Sequence, residues 1–177
     1  MRKFIFIIPL TLLFAQCSTP YTAEISRIDS LITLMDSAKV LVSKVDSGIV
    51  HQRRRLCEKN MKRIVELTDT VSREEVFMLD RYGAFQKAYT KWGSKMGLLS
   101  EEVEVIPVQL RNLRTDLSKN LIPQEKVRTY LENEEFAAVA VYQTCQQMYT
   151  GLQSIDKAYL EAEEKVLLLI QRLESEN

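Results

Sequence analysis

Residues 138–173 read AVAVYQTCQQMYTGLQSIDKAYLEAEEKVLLLIQRL, and this stretch decides the fold. Its apolar positions are Ala138, Val141, Cys145, Met148, Leu152, Ile155, Tyr159, Ala162, Val166, Leu169 and Leu173, alternating at spacings of three and four. A helix that buries one narrow stripe has this rhythm. The rhythm passes Gly151 in phase and extends back through Leu131 towards Pro123, with Glu134 as its one interruption. Pro123 suits a first helical turn. The spacing therefore predicts one helix from Pro123 to Leu173, with a break at Gly151 as the alternative.

Three further segments share the pattern. The first runs through Ile28, Leu31, Met35, Ala38, Val42, Val45 and Ile49, then Leu56, Ile64 and Leu67. Asp46-Ser47-Gly48 is a candidate break, since glycine costs about 1 kcal/mol inside a helix. The second opens at Ser72 with Glu75 three residues on, a capping-box spacing. Its stripe is Met78, Tyr82, Phe85, Tyr89, Trp92 and Met96, and Gly97 is a natural stop. The third takes Ser100 as its cap, with Glu101 and Glu102 at the positive helix end. It continues through Val103, Ile106, Leu110, Leu113, Leu117 and Leu121, and Pro107 sets where its regular part can begin.

No segment has the pattern of a strand, so the expected class is all-α. At 1.5 Å per residue the first and last helices span ~65 and ~75 Å, and the middle two ~36 and ~30 Å. Short connections make successive helices antiparallel neighbours. The expected form is an elongated antiparallel bundle. In it two long helices make a coiled-coil stalk, and two shorter ones complete a four-helix head.

The N-terminus has a different character. Arg2 and Lys3 precede an apolar run from Phe4 to Phe14, broken only by Pro9 and Thr11. That run of about 11 residues is too short to span a bilayer, which takes roughly 20. A basic start, a short apolar stretch and small or polar residues after it make a secretory signal. Leu13-Phe14-Ala15-Gln16-Cys17 resembles the lipobox of bacterial lipoproteins. The resemblance implies a signal peptide over 1–16, acylation of Cys17 and a lipid-anchored linker over 17–22. The bundle domain then covers 23–177. The expected location is the bacterial cell envelope, membrane-anchored or periplasmic. Cleavage after Ala15, releasing a soluble chain that starts at Gln16, is the other reading. Acyl chains would each contribute about 0.8 kcal/mol per buried methylene to the anchor.

The chain holds 24 basic and 24 acidic residues, and without Arg2 and Lys3 the acids lead by two. That balance argues against nucleic acid as a partner. Five Gly and four Pro in 177 residues favour long helices. Cys57 and Cys145 are exported with the chain, where a disulfide could form. The expected hairpin sets them at different heights, beyond the ~7 Å between Cα atoms that a bridge allows. Two free thiols are expected.

Two groups of residues are candidate binding sites. Arg53, Arg54 and Arg55, beside His51, are the densest basic patch, suited to an anionic partner. In the expected hairpin they lie level with Glu132, Glu134 and Glu135, so self-neutralisation on a solvated face is the plainer reading. Tyr82, Phe85, Tyr89 and Trp92 form the main aromatic concentration, with Lys87, Lys91 and Lys95 on other faces. Aromatics beside cations can stack sugars or bases, although at helical spacing rings more often pack the core.

Catalytic signatures are missing from the sequence. One histidine rules out a multi-histidine metal centre, and no Glu-x-x-His pair of the di-iron bundles occurs. There is no glycine-rich phosphate loop, Cys-x-x-Cys pair or nucleophile elbow. No enzymatic activity, cofactor or metal is expected. The sequence points to a helical scaffold or protein-interaction module of the envelope. Its expected partners are the membrane, through its lipid, and an envelope protein or a second copy of the chain. The alternative is a soluble periplasmic bundle that binds a ligand at the Tyr82–Trp92 helix.

Overall fold

A computed structural model describes residues 20–176. The expected signal over 1–16 and the acylation site Cys17 lie outside the described residues. Four helices form: α1 over Thr22–Ser43, α2 over Ser47–Leu67, α3 over Arg73–Ser118 and α4 over Gln124–Glu176. At the helical rise α3 and α4 are ~70 and ~80 Å long, and α1 and α2 each about half of that. Among the described residues there is no strand, and no helix is long and apolar enough to cross a membrane.

Local chemistry fixes the ends. The Asp46 carboxylate accepts the N–H groups of Gly48 and Ile49 at 2.8 and 3.1 Å and so caps α2. Ser72 and Glu75 complete their capping box at α3: the Ser72 hydroxyl accepts from the Glu75 N–H, and the Glu75 carboxylate from the Ser72 N–H. After α3 the chain turns through Asn120 at φ 54°, the left-handed conformation that asparagine tolerates well.

The all-α, elongated antiparallel bundle is what forms, with two long helices and two short ones. The short pieces are α1 and α2, however, and no stalk and head arise. Two features of the sequence account for the difference. Met96, Leu99 and Val103 keep the three-four spacing through Gly97 and Ser100, so the second and third segments are one helix, α3. Pro107 sits inside it with its ring buried, removing one backbone donor without ending the helix. In the first segment the phase slips instead. Ile28, Leu31, Met35 and Ala38 are buried in α1, whereas α2 buries Val50, Cys57, Asn60 and Ile64, one residue later than the α1 heptad predicts. The slip falls at the Asp46 cap.

The outcome is three rods side by side. α1 and α2 follow one another along α3, antiparallel to it. Arg114 bonds Asp29 at 2.7 Å and Lys39 bonds Glu104 near α1, and Asn60 bonds Tyr82 from α2, all in nearly one register. α4 returns antiparallel to α3, with Arg172 on Glu75 at 2.6 Å. The first rod and α4 therefore run parallel, as Arg27–Glu135 and Arg63–Glu174 show. Pro20 lies at the end of the rod where α3 turns into α4, beside Gln124 and Val127. α4 is unbroken at Gly151, and its buried positions hold the predicted heptad from Leu131 to Leu173. Cys57 and Cys145 are both free and buried.

Candidate functional site

The candidate residues meet on the half of the rod built by α2. Here α2 brings polar side chains to positions where α1 brings aliphatic ones. Arg53 and Asn60 stand one heptad apart on its inner face, and opposite them α3 presents Tyr82, Phe85 and Tyr89. α4 adds Asp156, Tyr159 and Glu163. Tyr159 lies at the centre of the cluster. It stacks on Tyr82 at 5.8 Å between centroids and takes Phe85 and Tyr89 edge-on at 6.0 and 5.6 Å. The Arg53 guanidinium covers it at 5.4 Å. Such pairs prefer edge-to-face or offset geometry, and a cation on a ring face is attracted by its quadrupole.

The polar atoms in this layer are matched. Tyr89 donates to Asp156 at 2.8 Å, and Arg53 pairs with the same carboxylate while approaching the Tyr89 hydroxyl at 3.5 Å. Asn60 donates to the Tyr82 hydroxyl at 3.0 Å, and Tyr159 donates to Glu163. Burial pushes the Tyr82 phenol up to about 12 and the Cys57 thiol beside it up to about 11. Burial raises Tyr89 and Tyr159 further still, and hydrogen bonding to Asp156 and Glu163 respectively adds to the rise. For Arg53, burial opposes the charge, but the bonds to Tyr89 and Asp156 outweigh it and the guanidinium is held protonated more firmly than usual. The shifts of the three phenols, of Cys57 and of Arg53 all carry those groups further from neutral pH. What the arrangement does is lock α2, α3 and α4 together by directional bonds.

The structure thus unites two candidate groups that the sequence kept apart. Arg53 joins Tyr82, Phe85 and Tyr89, and the rings pack on one another with Tyr82 and Tyr89 closed to solvent. Trp92 stands apart. It lies half-buried against Gly151, with Lys91 and Lys95 near its ring at 5.3 and 5.7 Å. Arg54 is half-buried at a surface depression with His51, Gly93 and Ser94, and Arg55 is exposed. The basic patch does not face Glu132, Glu134 and Glu135. Because the first and last rods are parallel, Arg53 meets Asp156, and Glu135 is taken by Arg27.

The sequence reading passed over Asn60, Asp156 and Glu163 as parts of this cluster. The signal for Asn60 and Arg53 was their place on the slipped heptad, which only the α2 phase reveals. Asp156 and Glu163 are one heptad apart on α4, both next to its buried stripe. No protein-family model, no curated protein and no solved structure matches the chain.

Proposed function

We propose that this chain is an exported envelope lipoprotein, held by an acyl chain at Cys17 and acting as a helical scaffold or interaction module. The segment from Arg2 to Cys17 carries the reading, with its basic start, short apolar run and lipobox-like end. The rod geometry is consistent with it. Cys17 lies three residues before Pro20, and Pro20 is at one end of a bundle ~80 Å long. A tether there leaves the sides and the far end of the rod open to partners. The packed aromatic layer favours this scaffold over a ligand-binding bundle, because Tyr82, Tyr89 and Tyr159 occupy the space that a ligand would need.

The test is intact mass and membrane fractionation of the chain expressed in a bacterial host, beside a Cys17→Ala variant. A mass that begins at Cys17 with acyl chains added, and membrane retention lost in the variant, is the expected result. An unacylated mass beginning at Gln16, with both forms soluble, would overturn the tether.

A further inference from the structure

The middle of α3 carries charges that, among the described residues, pair with no opposite charge in their own bundle, although Lys91 and Lys95 lie near the Trp92 ring. Lys91, Lys95, Leu98, Glu101, Glu102 and Val105 share its outer face, all of them exposed. Leu98 is 64% exposed and Val105 44%, high for large apolar side chains. The bases lie on the N-terminal side of Leu98 and the acids on the C-terminal side. Among the described residues neither Glu101 nor Glu102 forms an ion pair, whereas neighbouring Glu104 pairs with Lys39 of α1 at the surface. Gly97 lies next to Leu98 with open space where a side chain would be, so another backbone can come close.

α4 contributes a second observation. Residues 136–155, FAAVAVYQTCQQMYTGLQSI, hold no charged side chain, in a chain that is 27% charged. Trp92 against Gly151 sets this stretch level with the same part of α3. Its outward positions there include Ala140, Gln147 and Ser154, all exposed and uncharged. Interfaces between proteins are depleted in charge at their centres and ringed by polar groups. The α4 part of the α3–α4 face is free of charge, and the Lys and Glu groups lie on α3 to either side of Leu98.

We propose that a second copy of the chain docks on this face, antiparallel, with the two α3 helices meeting at Leu98. Reversing α3 about Leu98 sets Lys95 of one copy level with Glu101 of the other, and Lys91 level with Val105 and within one helical turn of Glu102, twice over by symmetry. A two-fold contact must be self-complementary in this way. In a parallel pair lysine would meet lysine. Charge pairs of this kind set orientation and register, and like charges in the same places exclude the wrong pairing. Such a dimer gathers α3 and α4 of both copies into four helices and covers the exposed leucine and valine. The pairing does not rest on the tether. If both copies are tethered, their anchors lie at opposite ends of the pair. The pair then either lies along one surface or joins two facing ones.

The experiment uses the full chain in a bacterial host with Leu98→Cys, which puts one thiol from each copy at the two-fold axis. Mild oxidation is expected to give a covalent dimer, whereas Asp36→Cys, exposed on α1, gives none. Adding Lys91→Glu and Lys95→Glu to Leu98→Cys makes the face wholly acidic and is expected to lower the crosslink about tenfold or more. Co-expression with a chain carrying Leu98→Cys, Glu101→Lys and Glu102→Lys restores it as a mixed dimer, because the all-basic face then meets the all-acidic one. Absence of a Leu98→Cys dimer overturns the proposal, as does a dimer that survives the charge reversal or an equal yield at Asp36→Cys. All the altered positions are exposed, and helical circular dichroism checks that each variant folds. Crosslinking that persists when Cys17→Ala is added separates this pairing from any clustering caused by acyl chains.

Discussion

The two halves of the rod hold together by different means. Where α1 lies on α3 and α4, the buried residues are apolar and without aromatic rings: Ile28, Leu31 and Met35 of α1 share the core with Val103, Ile106, Leu110, Leu131 and Ala138. Where α2 lies on the same two helices, three tyrosines and an asparagine share the interior with Cys57 and Ile64, and half-buried Arg53, Asp156 and Glu163 bond to those tyrosines at its border. Aliphatic packing rewards volume and is tolerant of small shifts along the helix. Hydrogen bonds between buried groups are directional, and leaving one unmade is expensive. The α1 half should therefore supply bulk stability, and the α2 half should fix the register of the element after the break at Asp46. A heptad that has slipped by one residue needs such a pin.

The widest separation between the halves should come from truncating the central residue of each. Tyr159→Ala is expected to cost about 4 kcal/mol, because it empties the contact point of Tyr82, Phe85, Tyr89 and Arg53. Leu110→Ala, fully buried in the aliphatic half, should cost about 3 kcal/mol. Urea unfolding followed by circular dichroism gives both numbers. Amide exchange carries the sharper distinction. Tyr159→Ala should release α2 while α1 remains protected, whereas Leu110→Ala should leave α2 no freer than the rest of the rod. Equal loss of protection along the first rod in both variants would erase the distinction drawn here.

A smaller effect isolates the directional bonds. Asn60→Leu leaves the buried Tyr82 hydroxyl without its 3.0 Å donor and is expected to cost about 2 kcal/mol. Tyr82→Phe in the same chain removes the hydroxyl that has lost its donor, and much of the loss should return, since replacing both partners by apolar groups can be close to neutral. A double-mutant cycle measures this. Simple addition of the two single losses would mean that the bond contributes little and that the layer is held by ring packing alone.

How far the sequence could disclose this contrast depended on phase. α4 was legible because its heptads from Leu131 to Leu173 never slip. The all-α class followed for the same reason. The α3 boundary was misplaced because Gly97, Ser100 and Pro107 are local stop signals, and tertiary burial of Met96, Leu99 and Val103 overrides them. The break at Asp46 was visible as Asp-Ser-Gly. Its consequence, the one-residue shift that turns Arg53 and Asn60 inward, was not. Tyr82, Phe85 and Tyr89 could be grouped from their spacing, because they share one helix. Arg53, Asp156 and Tyr159 could not be added to them, because their meeting depends on the first and last rods being parallel. That direction follows from three rods and is reversed with four.

Alkali should weaken both halves, and the α2 half over a wider range. Cys57 and Cys145 are each pushed from 9.0 to about 11 by burial, and Tyr82 from 10.0 to about 12. For each group the folded state prefers the neutral form. The stability this gives is whole below the unfolded pKa and is lost as pH rises through the folded one. The urea midpoint should fall from about pH 9 upward. In Tyr82→Phe the part of the fall between pH 10 and 12 should shrink, while the thiol part stays. Iodoacetamide should label neither thiol at pH 8 until the chain is unfolded, since access as well as ionisation is restricted.

The smallest expected effect concerns the one acid on the inner stripe of the aliphatic half. Glu134 occupies a heptad position shared with Val127 and Val141 on α4, and burial raises its carboxyl above the ordinary 4.5. Its charged form is disfavoured by the fold, so its contribution is most favourable at low pH and declines as pH rises from 4.5 through the folded value. Glu134→Leu should therefore raise stability at pH 7 by about 1 kcal/mol and by less at pH 4. Glu134→Gln should remove the pH dependence while recovering only part of the gain. A Glu134→Leu variant less stable than the parent at pH 7 would show that the aliphatic half also relies on a placed polar group. The division of labour between volume and direction would then no longer follow the break at Asp46.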